Sequence, residues 1–324
     1  MIDLTDEGSL DQRPFTPPRH LSVPDRVFRG VSAGAALTSG AIVTVTVYFL
    51  VKESGPAFKS SGIVHFFTSA NWNIAAGKLG VLGILGGTLI IAIIALILAA
   101  PMGIGMALFI NEFAPASIRR PVISVIDLLA ALPSILFGIW GAYALLPHLV
   151  RVEQWFAYHL TVLPWFRLGN NEILAGRSSF DAGVVVGLMT LPIITSVARE
   201  VMAQVPREQC EAAYALGGTR WGMIRSVILP FSRSGILQAV ILAFGRALGE
   251  TIAIIFLISF VYRFNPHVLT SGSSTIASMI VINFGSGGKV AQSGLIAAGF
   301  ALFLVTLIVN VAARAVVTRA RRVQ

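Results

Sequence analysis

The sequence predicts an all-α membrane protein that crosses the bilayer with about six transmembrane helices. The chain has 324 residues, of which 55% are hydrophobic and only 12% are charged, and its mean hydropathy is +0.80. A soluble protein carries about 25% charged residues, so this chain has too little polar surface to stay dissolved. The 31 glycines fit the same class, because small residues let transmembrane helices approach closely.

Six stretches are long and apolar enough to cross a bilayer, which takes about 20 mainly apolar residues. The predicted spans are residues 28–51, 79–110, 122–149, 182–202, 236–261 and 295–313. The second is longer than one crossing needs, and the prolines in the third and fourth predict kinks. Together they form a membrane domain over residues 28–313.

The segments that flank this domain are polar. Residues 1–27 combine several prolines with five acidic residues, which is not the composition of a secretory signal peptide, and we expect a mostly disordered tail. Residues 314–324 form a basic C-terminal tail.

The distribution of Lys and Arg predicts which side each connection faces. If the N-terminus is cytoplasmic, the inner segments hold fifteen of the 24 cations and the outer segments hold eight. Inner loops are enriched in Lys and Arg, so both termini and the loop 203–235 are predicted to be cytoplasmic. We attribute the net charge of +9 to this enrichment of Lys and Arg in cytoplasmic segments. No nucleic-acid partner is therefore expected.

Two outer connections are rich in aromatic residues. One interpretation is an interfacial aromatic belt, and the other is a docking surface for an external partner. The residues are Phe58, Phe66, Phe67 and Trp72 in the first connection, and Trp155, Tyr158, Trp165 and Phe166 in the second.

No catalytic or metal-binding cluster stands out. The five histidines are scattered, without metal-ligand spacing. The glycine-rich stretch 285–289 lacks the first glycine and the final Ser or Thr of a phosphate-binding loop. Cys210 is the only cysteine, and its neighbours Glu208 and Glu211 do not favour a thiolate. The chain is therefore predicted not to be an enzyme and to bind no metal.

A polar stretch, residues 207–230, interrupts the hydrophobic pattern. It predicts a helix from Arg207, a break at Gly217 and Gly218, a restart at Thr219 and a stop at Pro230. Glu211, Ala212, Ala213 and Gly217 are spaced as one face of a short helix. We interpret this water-exposed helix between two spans as a docking element through which a partner protein moves the spans.

Arg246 lies near the middle of the fifth predicted span. A charge at that depth costs on the order of 3 kcal/mol and normally faces a bundle interior or a wet cavity. Glu250 follows four residues later, which predicts that it lies on the same helix face. One interpretation is a self-neutralising pair that pins helices. The other is a cationic station on an anion path, since an arginine fork suits a tetrahedral oxyanion.

Asp127 lies near the start of the third predicted span. It is either a structural polar residue that pairs with an arginine of the cytoplasmic loop or of a partner, or a simple helix-end residue at the membrane interface.

Several motifs resemble a known family. Residues 211–217 read Glu-Ala-Ala-x-x-x-Gly and precede Leu229-Pro230, which resembles the EAA signature of ABC-importer permeases, with Val227 in place of the usual isoleucine. Residues 246–251 (Arg-Ala-Leu-Gly-Glu-Thr), 132–141 and 109–115 resemble Pst phosphate-importer permeases of the PstC type. The PstA type shares the overall plan, so both subunit types stay open.

The resemblance implies a MetI-like type I importer fold in the cytoplasmic (inner) membrane of a prokaryote. It implies a sister permease (PstA), two copies of an ATPase (PstB) that bind ATP and Mg, an external phosphate-binding protein (PstS), and inorganic phosphate as cargo. This chain would bind no cofactor itself. ATPase coupling would map to Glu211, Ala212, Ala213, Gly217 and Gly218, and the substrate pathway to Arg246, Glu250 and Thr251.

Other functions stay open at this point. A secondary anion transporter driven by an ion gradient would explain Arg246 and Glu250 equally well. An ABC permease for another oxyanion, such as molybdate or sulfate, is also possible. A membrane enzyme or scaffold would need a catalytic cluster or a large soluble surface, and the sequence has neither.

Overall fold

The computed structural model describes residues 23–73, 77–168, 174, 176–285 and 287–321, with residues 316–321 as backbone only. The chain divides into two compact units, residues 1–49 and 50–324. In the first unit the described residues are helical and belong to α1 (Val23–Ser61). Their side chains are nearly all exposed, and hydroxyl groups such as that of Thr38 donate to the carbonyl four residues earlier, at 2.8 Å. The helix begins upstream of the predicted residue 28, and residues 1–22 of the predicted tail lie outside the described residues.

The second unit is mostly helical. After α1 its helices are α2 (Ile63–Thr68), α3 (Leu82–Leu108), α4 (Ala116–Ala131), α5 (Ser134–Trp140), α6 (Leu146–His159), α7 (Ser179–Met202), α8 (Arg207–Ala215), α9 (Arg220–Met223), α10 (Leu229–Leu248), α11 (Ile252–Leu257), α12 (Ile276–Asn283) and α13 (Lys289–Arg321). Wider π-helical turns at Phe109–Phe113, Gly141–Leu145 and Ile224–Ile228 lie between consecutive helices, and Pro164–Phe166 is a 3₁₀ turn. The strands β1 (Trp72–Asn73) and β2 (Lys78–Leu79) pair antiparallel.

Six helical segments of the described residues have the length and apolar composition of a membrane span, as the sequence predicts. They are Val23–Ser61, Leu82–Phe113, Ser134–His159, Ser179–Met202, Arg220–Leu248 and Lys289–Ala315.

The third span begins at Ser134, and the predicted start at residue 122 is wrong. Leu132 adopts an extended conformation, with ψ of 136°, because Pro133 disfavours the helical region in the residue before it. Residues 116–131 therefore form the separate helix α4.

The fifth span also differs from its prediction at both ends. A helix stop at Pro230 is wrong, because the proline occupies the first turn of α10, where its missing N–H is tolerated. At the other end α10 stops at Leu248. Thr251 lies outside the helical region, with φ −124° and ψ −62°, and α11 begins after it. A continuous helix to residue 261 is therefore wrong.

The centre of the second unit is a close packing of α3, α7 and α10. Small residues permit the approach, since a Cβ on Gly187 of α7 would lie 3.1 Å from the backbone oxygen of Ala95 in α3. The buried core between these helices and α11 includes Ile91, Ala95, Val185, Met189, Leu248 and Ile254. Ala247 and Leu248 of α10 belong to this core, whereas the neighbouring Arg246 is exposed.

A second core forms around the first aromatic connection. Phe66 is completely buried and Trp72 is 6% exposed, and the ring centroids of Phe58 and Phe66 lie 5.4 Å apart in an edge-on arrangement. For Phe66 and Trp72 both sequence interpretations, a belt and a docking surface, are therefore wrong. Trp155, Tyr158 and Trp165 of the second connection are exposed.

Candidate functional site

Helix α8 is the short polar helix that the sequence predicts, and it ends at the predicted glycines. Gly217 has φ +81°, the left-handed conformation that glycine adopts without strain. Its N–H donates to Tyr214 O at 2.9 Å, and the Gly218 N–H donates to Ala213 O at 3.0 Å. These two bonds form a Schellman cap, which satisfies the last carbonyls of the helix. Thr219 then caps α9 by accepting the Gly222 N–H at 3.1 Å.

One face of α8 is anchored and the other is open. Cys210 and Ala213 pack against a buried cluster that joins α8 to the ends of α3 and α7 and to the 224–228 turn. The cluster consists of Ala107, Ala198, Met202, Met223, Ile224 and Ile228. Glu211, Ala212 and Tyr214 are exposed, and Leu216 is 91% exposed. A force applied to the open face would therefore reach three membrane helices.

Polar contacts brace the same region. The Arg220 guanidinium lies 5.2 Å from the ring centroid of Phe113, in the range of a cation–π contact. Arg119 donates from Nε to Ile110 O at 2.9 Å. Asn111 donates from Nδ2 to Arg199 O at 2.9 Å, which connects the end of the second span to the end of the fourth.

Cys210 on α8 is a poor nucleophile at neutral pH. Partial burial raises the pKa of its thiol, and the negative charges of Glu112 and Glu211 raise it further. The sequence correctly indicates that acidic neighbours oppose a thiolate, but Glu112, which is distant in sequence, takes the place of the expected Glu208.

Arg246 lies on the exposed side of α10. It lines a cavity of about 500 Å³ together with Ile193, Ile241, Leu242, Gly245, Thr306 and Asn310, from α7, α10 and α13. Within the described part of the chain, its guanidinium forms no ion pair or hydrogen bond. The positive charge of Arg246 in the cavity is therefore not balanced by any described acidic residue of this chain.

Glu250 does not share a helix face with Arg246, and this prediction is wrong. Because α10 ends at Leu248, Glu250 lies in the break before α11, where it is 7% exposed. Its Oε1 accepts the N–H of Ala253 at 3.2 Å. Thr251 donates from Oγ1 to Gly249 O at 3.1 Å. The two charged side chains form no ion pair, so a self-neutralising pair is absent from this structure.

Asp127 lies on the exposed surface of α4. It forms no ion pair with the described residues of this chain, so pairing with the cytoplasmic loop is not observed here. Pairing with a separate partner chain stays a prediction.

The sequence reasoning missed two groups of polar residues. Glu153, Ser178 and Asp181 are fully buried where α6 meets the start of α7, but the predicted span limits left all three outside the membrane domain's helices. Thr306 and Asn310 line the Arg246 cavity. An amide at position 310, inside an otherwise apolar span, is the signal that could have identified this second group.

A sequence profile of the family described as binding-protein-dependent transport system inner membrane component matches residues 99–322. The match covers more than half of the chain and includes α8 and Arg246. The chain belongs to this family. The resemblance of residues 211–217 to the signature of importer permeases agrees with membership in this family.

Several relatives of the permease are named as phosphate transport system permease proteins of the PstC type. A protein of Mycobacterium bovis called phosphate transport system permease protein PstC 2 is 37% identical over 296 residues, which cover 90% of this chain and 91% of that protein. PstC of Mycobacterium leprae is 38% identical over 296 residues, 90% and 92% of the two chains. PstC of Xylella fastidiosa is 39% identical over 260 residues, 80% of each chain. The permease is thus a member of the PstC group.

Solved structures confirm the predicted fold class. The permease matches a chain of a bacterial ABC transporter that imports the acidic polysaccharide alginate, with a TM-score of 0.55 and 19% identity, over 91% of this chain and 99% of that one. A structure of a bacterial alginate ABC transporter in complex with its alginate pentasaccharide-bound periplasmic protein gives a TM-score of 0.56 at 18% identity, over 89% and 96%. At this identity the likeness concerns the fold alone.

Membership also decides between the classes of function. The permease is a multi-pass membrane transport component and not an enzyme. A gradient-driven secondary transporter, a membrane enzyme and a scaffold are all disfavoured, because the family consists of components of binding-protein-dependent transport systems.

Proposed function

We propose that the permease is a membrane subunit of an ATP-driven importer of inorganic phosphate. The observation that carries the proposal is Arg246, an exposed cation within a membrane span that lines a cavity and has no charged partner among the described residues. Arginine offers paired donors that match a tetrahedral oxyanion. The PstC relatives are named for phosphate transport, which selects phosphate among the oxyanions.

The proposed complex contains further chains. A sister permease of the PstA type would cover the open side of the Arg246 cavity and complete the pathway. Two copies of a PstB-type ATPase would bind ATP and Mg, while this chain binds no cofactor. A PstS-type binding protein would deliver phosphate from outside. The exposed face of α8 supports ATPase docking, with Glu211, Ala212, Ala213, Gly217 and Gly218 at or next to the contact.

The proposed location is the inner membrane of a prokaryote, with both termini and α8 in the cytoplasm. If all six candidate segments cross the membrane, the chain returns to the side on which it starts, and the connection between the fourth and fifth spans would lie on that same side. The excess of Lys and Arg in these segments supports the cytoplasmic assignment.

The mechanism follows from how α8 is anchored. ATP binding would close the ATPase dimer and move α8, and the cluster under Cys210 and Ala213 would pass the movement to α3 and α7. The spans would then open toward the binding protein, and phosphate would enter and pass Arg246, with Glu250 and Thr251 at the adjacent helix break. Hydrolysis would restore the inward-facing state.

Uptake of labelled phosphate into proteoliposomes tests this proposal. The vesicles contain the assembled complex, with ATP on the ATPase side and the binding protein on the other. We expect uptake that requires both, and a decrease of at least about tenfold in Arg246→Gln, because a charged hydrogen-bonding group is lost. Arg263→Gln is the matched control, since Arg263 is exposed and outside the spans.

Two results would contradict the proposal, and they differ. If the wild-type complex takes up no phosphate with ATP, the assigned function is wrong. If Arg246→Gln assembles normally and transports as well as Arg263→Gln, the function stands and the role of Arg246 is wrong.

A further inference from the structure

The Arg246 cavity contains two more polar side chains, both from the last span. Thr306 and Asn310 are four residues apart on α13, so they lie on one face of that helix, one turn from each other. Both are half-buried. Among the described residues, the others that line the cavity are glycine and aliphatic residues, and none is a carboxylate.

Each of these side chains presents hydrogen-bond acceptors to the cavity. Thr306 donates its hydroxyl proton to Leu302 O at 2.8 Å, so only its oxygen lone pairs stay available. The Asn310 amide makes no hydrogen bond to another described residue, so both its N–H groups and its oxygen are available. An uncompensated amide inside a membrane span is costly and normally has a functional partner.

A cation beside acceptors fits a particular kind of anion. Arg246 supplies donors only and attracts a negative ligand. The lone pairs of Thr306 and Asn310 would repel a fully ionised oxyanion, but they stabilise one that retains a proton. Near neutral pH inorganic phosphate retains at least one P–OH group, whereas sulfate retains none. Glu250 is not part of this cavity, because its carboxylate is buried and caps α11.

We infer that Asn310, with Thr306, forms the second half of the anion site of Arg246 and selects a protonated oxyanion over sulfate. The inference rests on the proposed function, and it adds two residues and a basis for selectivity. Asn310 donates an amide N–H to a charged phosphate oxygen, and its carbonyl oxygen accepts from P–OH. No covalent bond forms or breaks.

The first experiment compares phosphate transported with ATP hydrolysed in the reconstituted complex. We expect Asn310→Leu to lower this ratio at least about tenfold, as for loss of a hydrogen bond to a charged ligand, while binding-protein-stimulated ATP hydrolysis continues. Asn310→Ser keeps a donor and an acceptor and should recover part of the ratio. Val311→Leu is the control, because Val311 is exposed on the same helix and does not line the cavity.

The second experiment separates the selectivity of the cavity from that of the binding protein, which stays outside, by loading the vesicle lumen with either anion. Luminal phosphate, which reaches the cavity in its inward-facing state, should slow uptake by the wild-type complex, whereas luminal sulfate should not. In Asn310→Leu and in Thr306→Val, the difference between the two anions should shrink severalfold.

The outcomes separate the possibilities. No phosphate uptake by the wild-type complex would refute the proposed function. Wild-type uptake with an unchanged transport ratio and unchanged anion selectivity in Asn310→Leu would refute this inference alone. If Asn310→Leu instead lowers complex assembly, ATP hydrolysis and transport together, Asn310 is a contact to the sister permease, and the inference is also refuted.

Discussion

The hydroxyl group of Ser178 donates a hydrogen bond of 2.5 Å to Oε1 of Glu153 and thereby ties the start of α7 to α6. The same hydroxyl accepts the N–H of Asp181 at 3.1 Å. In return, Oδ2 of Asp181 accepts the N–H of Ser178 at 3.1 Å. The Ser178 side chain therefore completes the capping box of α7 and also donates a hydrogen bond to the buried carboxyl group of Glu153.

Removal of this hydroxyl should be costly. We expect Ser178→Ala to lower the free energy of unfolding by about 2–4 kcal/mol, because the helix loses its N-cap and the buried Glu153 loses a donor. Thermal unfolding of the detergent-solubilised protein, followed by tryptophan fluorescence, measures the change. Ser39→Ala is the control, since Ser39 is exposed and bonds only to its own helix. Equal effects of the two substitutions would contradict this role.

The carboxyl groups of Glu153 and Asp181 are buried together, and this arrangement predicts the effect of neutralising one of them. The two carboxyl groups share a side-chain hydrogen bond with each other, and neither forms an ion pair with the described residues. Glu153→Gln keeps the volume and an acceptor, and its amide N–H groups are permanent donors for the Asp181 carboxyl group. We expect it to stabilise the protein by about 1 kcal/mol, the net value of one hydrogen bond.

Glu153→Ala is the contrasting variant in the same unfolding measurement. It removes the acceptor of Ser178 and leaves a cavity, so we expect a loss of about 2–3 kcal/mol. If Glu153→Gln destabilises as much as Glu153→Ala, then the amide does not form the expected hydrogen bond to Asp181.

The features that the sequence predicts well are those with local causes. Six spans follow from runs of apolar residues, and the cap at Gly217 follows from the backbone conformation that two glycines permit. The helix break after Leu248 has no proline to mark it. It follows the C-cap residue Gly249, and next to it Glu250 is buried and accepts the Ala253 N–H, which a pattern of apolar residues does not reveal.

Polar residues that come together from different helices are the hardest feature to predict from the sequence. Glu153 and Asp181 are 28 residues apart, and Arg246 and Asn310 are 64 residues apart, so only the tertiary packing brings each pair to one place. The four-residue spacing of Arg246 and Glu250 predicts a pair only where the helix continues through both residues. Spacing within a span is therefore informative only where the helix is unbroken.

The cap at Gly217 should tolerate asparagine but not valine. Gly217 has φ +81°, and a Cβ there would meet nothing within 4 Å, so the penalty is conformational and not steric. We expect Gly217→Val to cost about 1–2 kcal/mol and to impair ATP-dependent uptake by fraying α8. Gly217→Asn, which adopts this conformation more readily, is the control. Equal uptake by both variants would show that the cap does not matter for coupling.

The thiol of Cys210 reports the charge around α8. Because its pKa is raised, the thiol form still predominates at the ordinary pKa of a cysteine, so iodoacetamide should react more slowly than with the unfolded chain. The rate should increase as the pH rises. Glu112→Gln and Glu211→Gln each remove a charge that raises the pKa, and should increase the rate on the order of twofold. Glu208→Gln is the control on the same helix. Mass spectrometry follows this single cysteine without competition. Rates in Glu112→Gln and Glu211→Gln that match those in Glu208→Gln would contradict the assigned contacts.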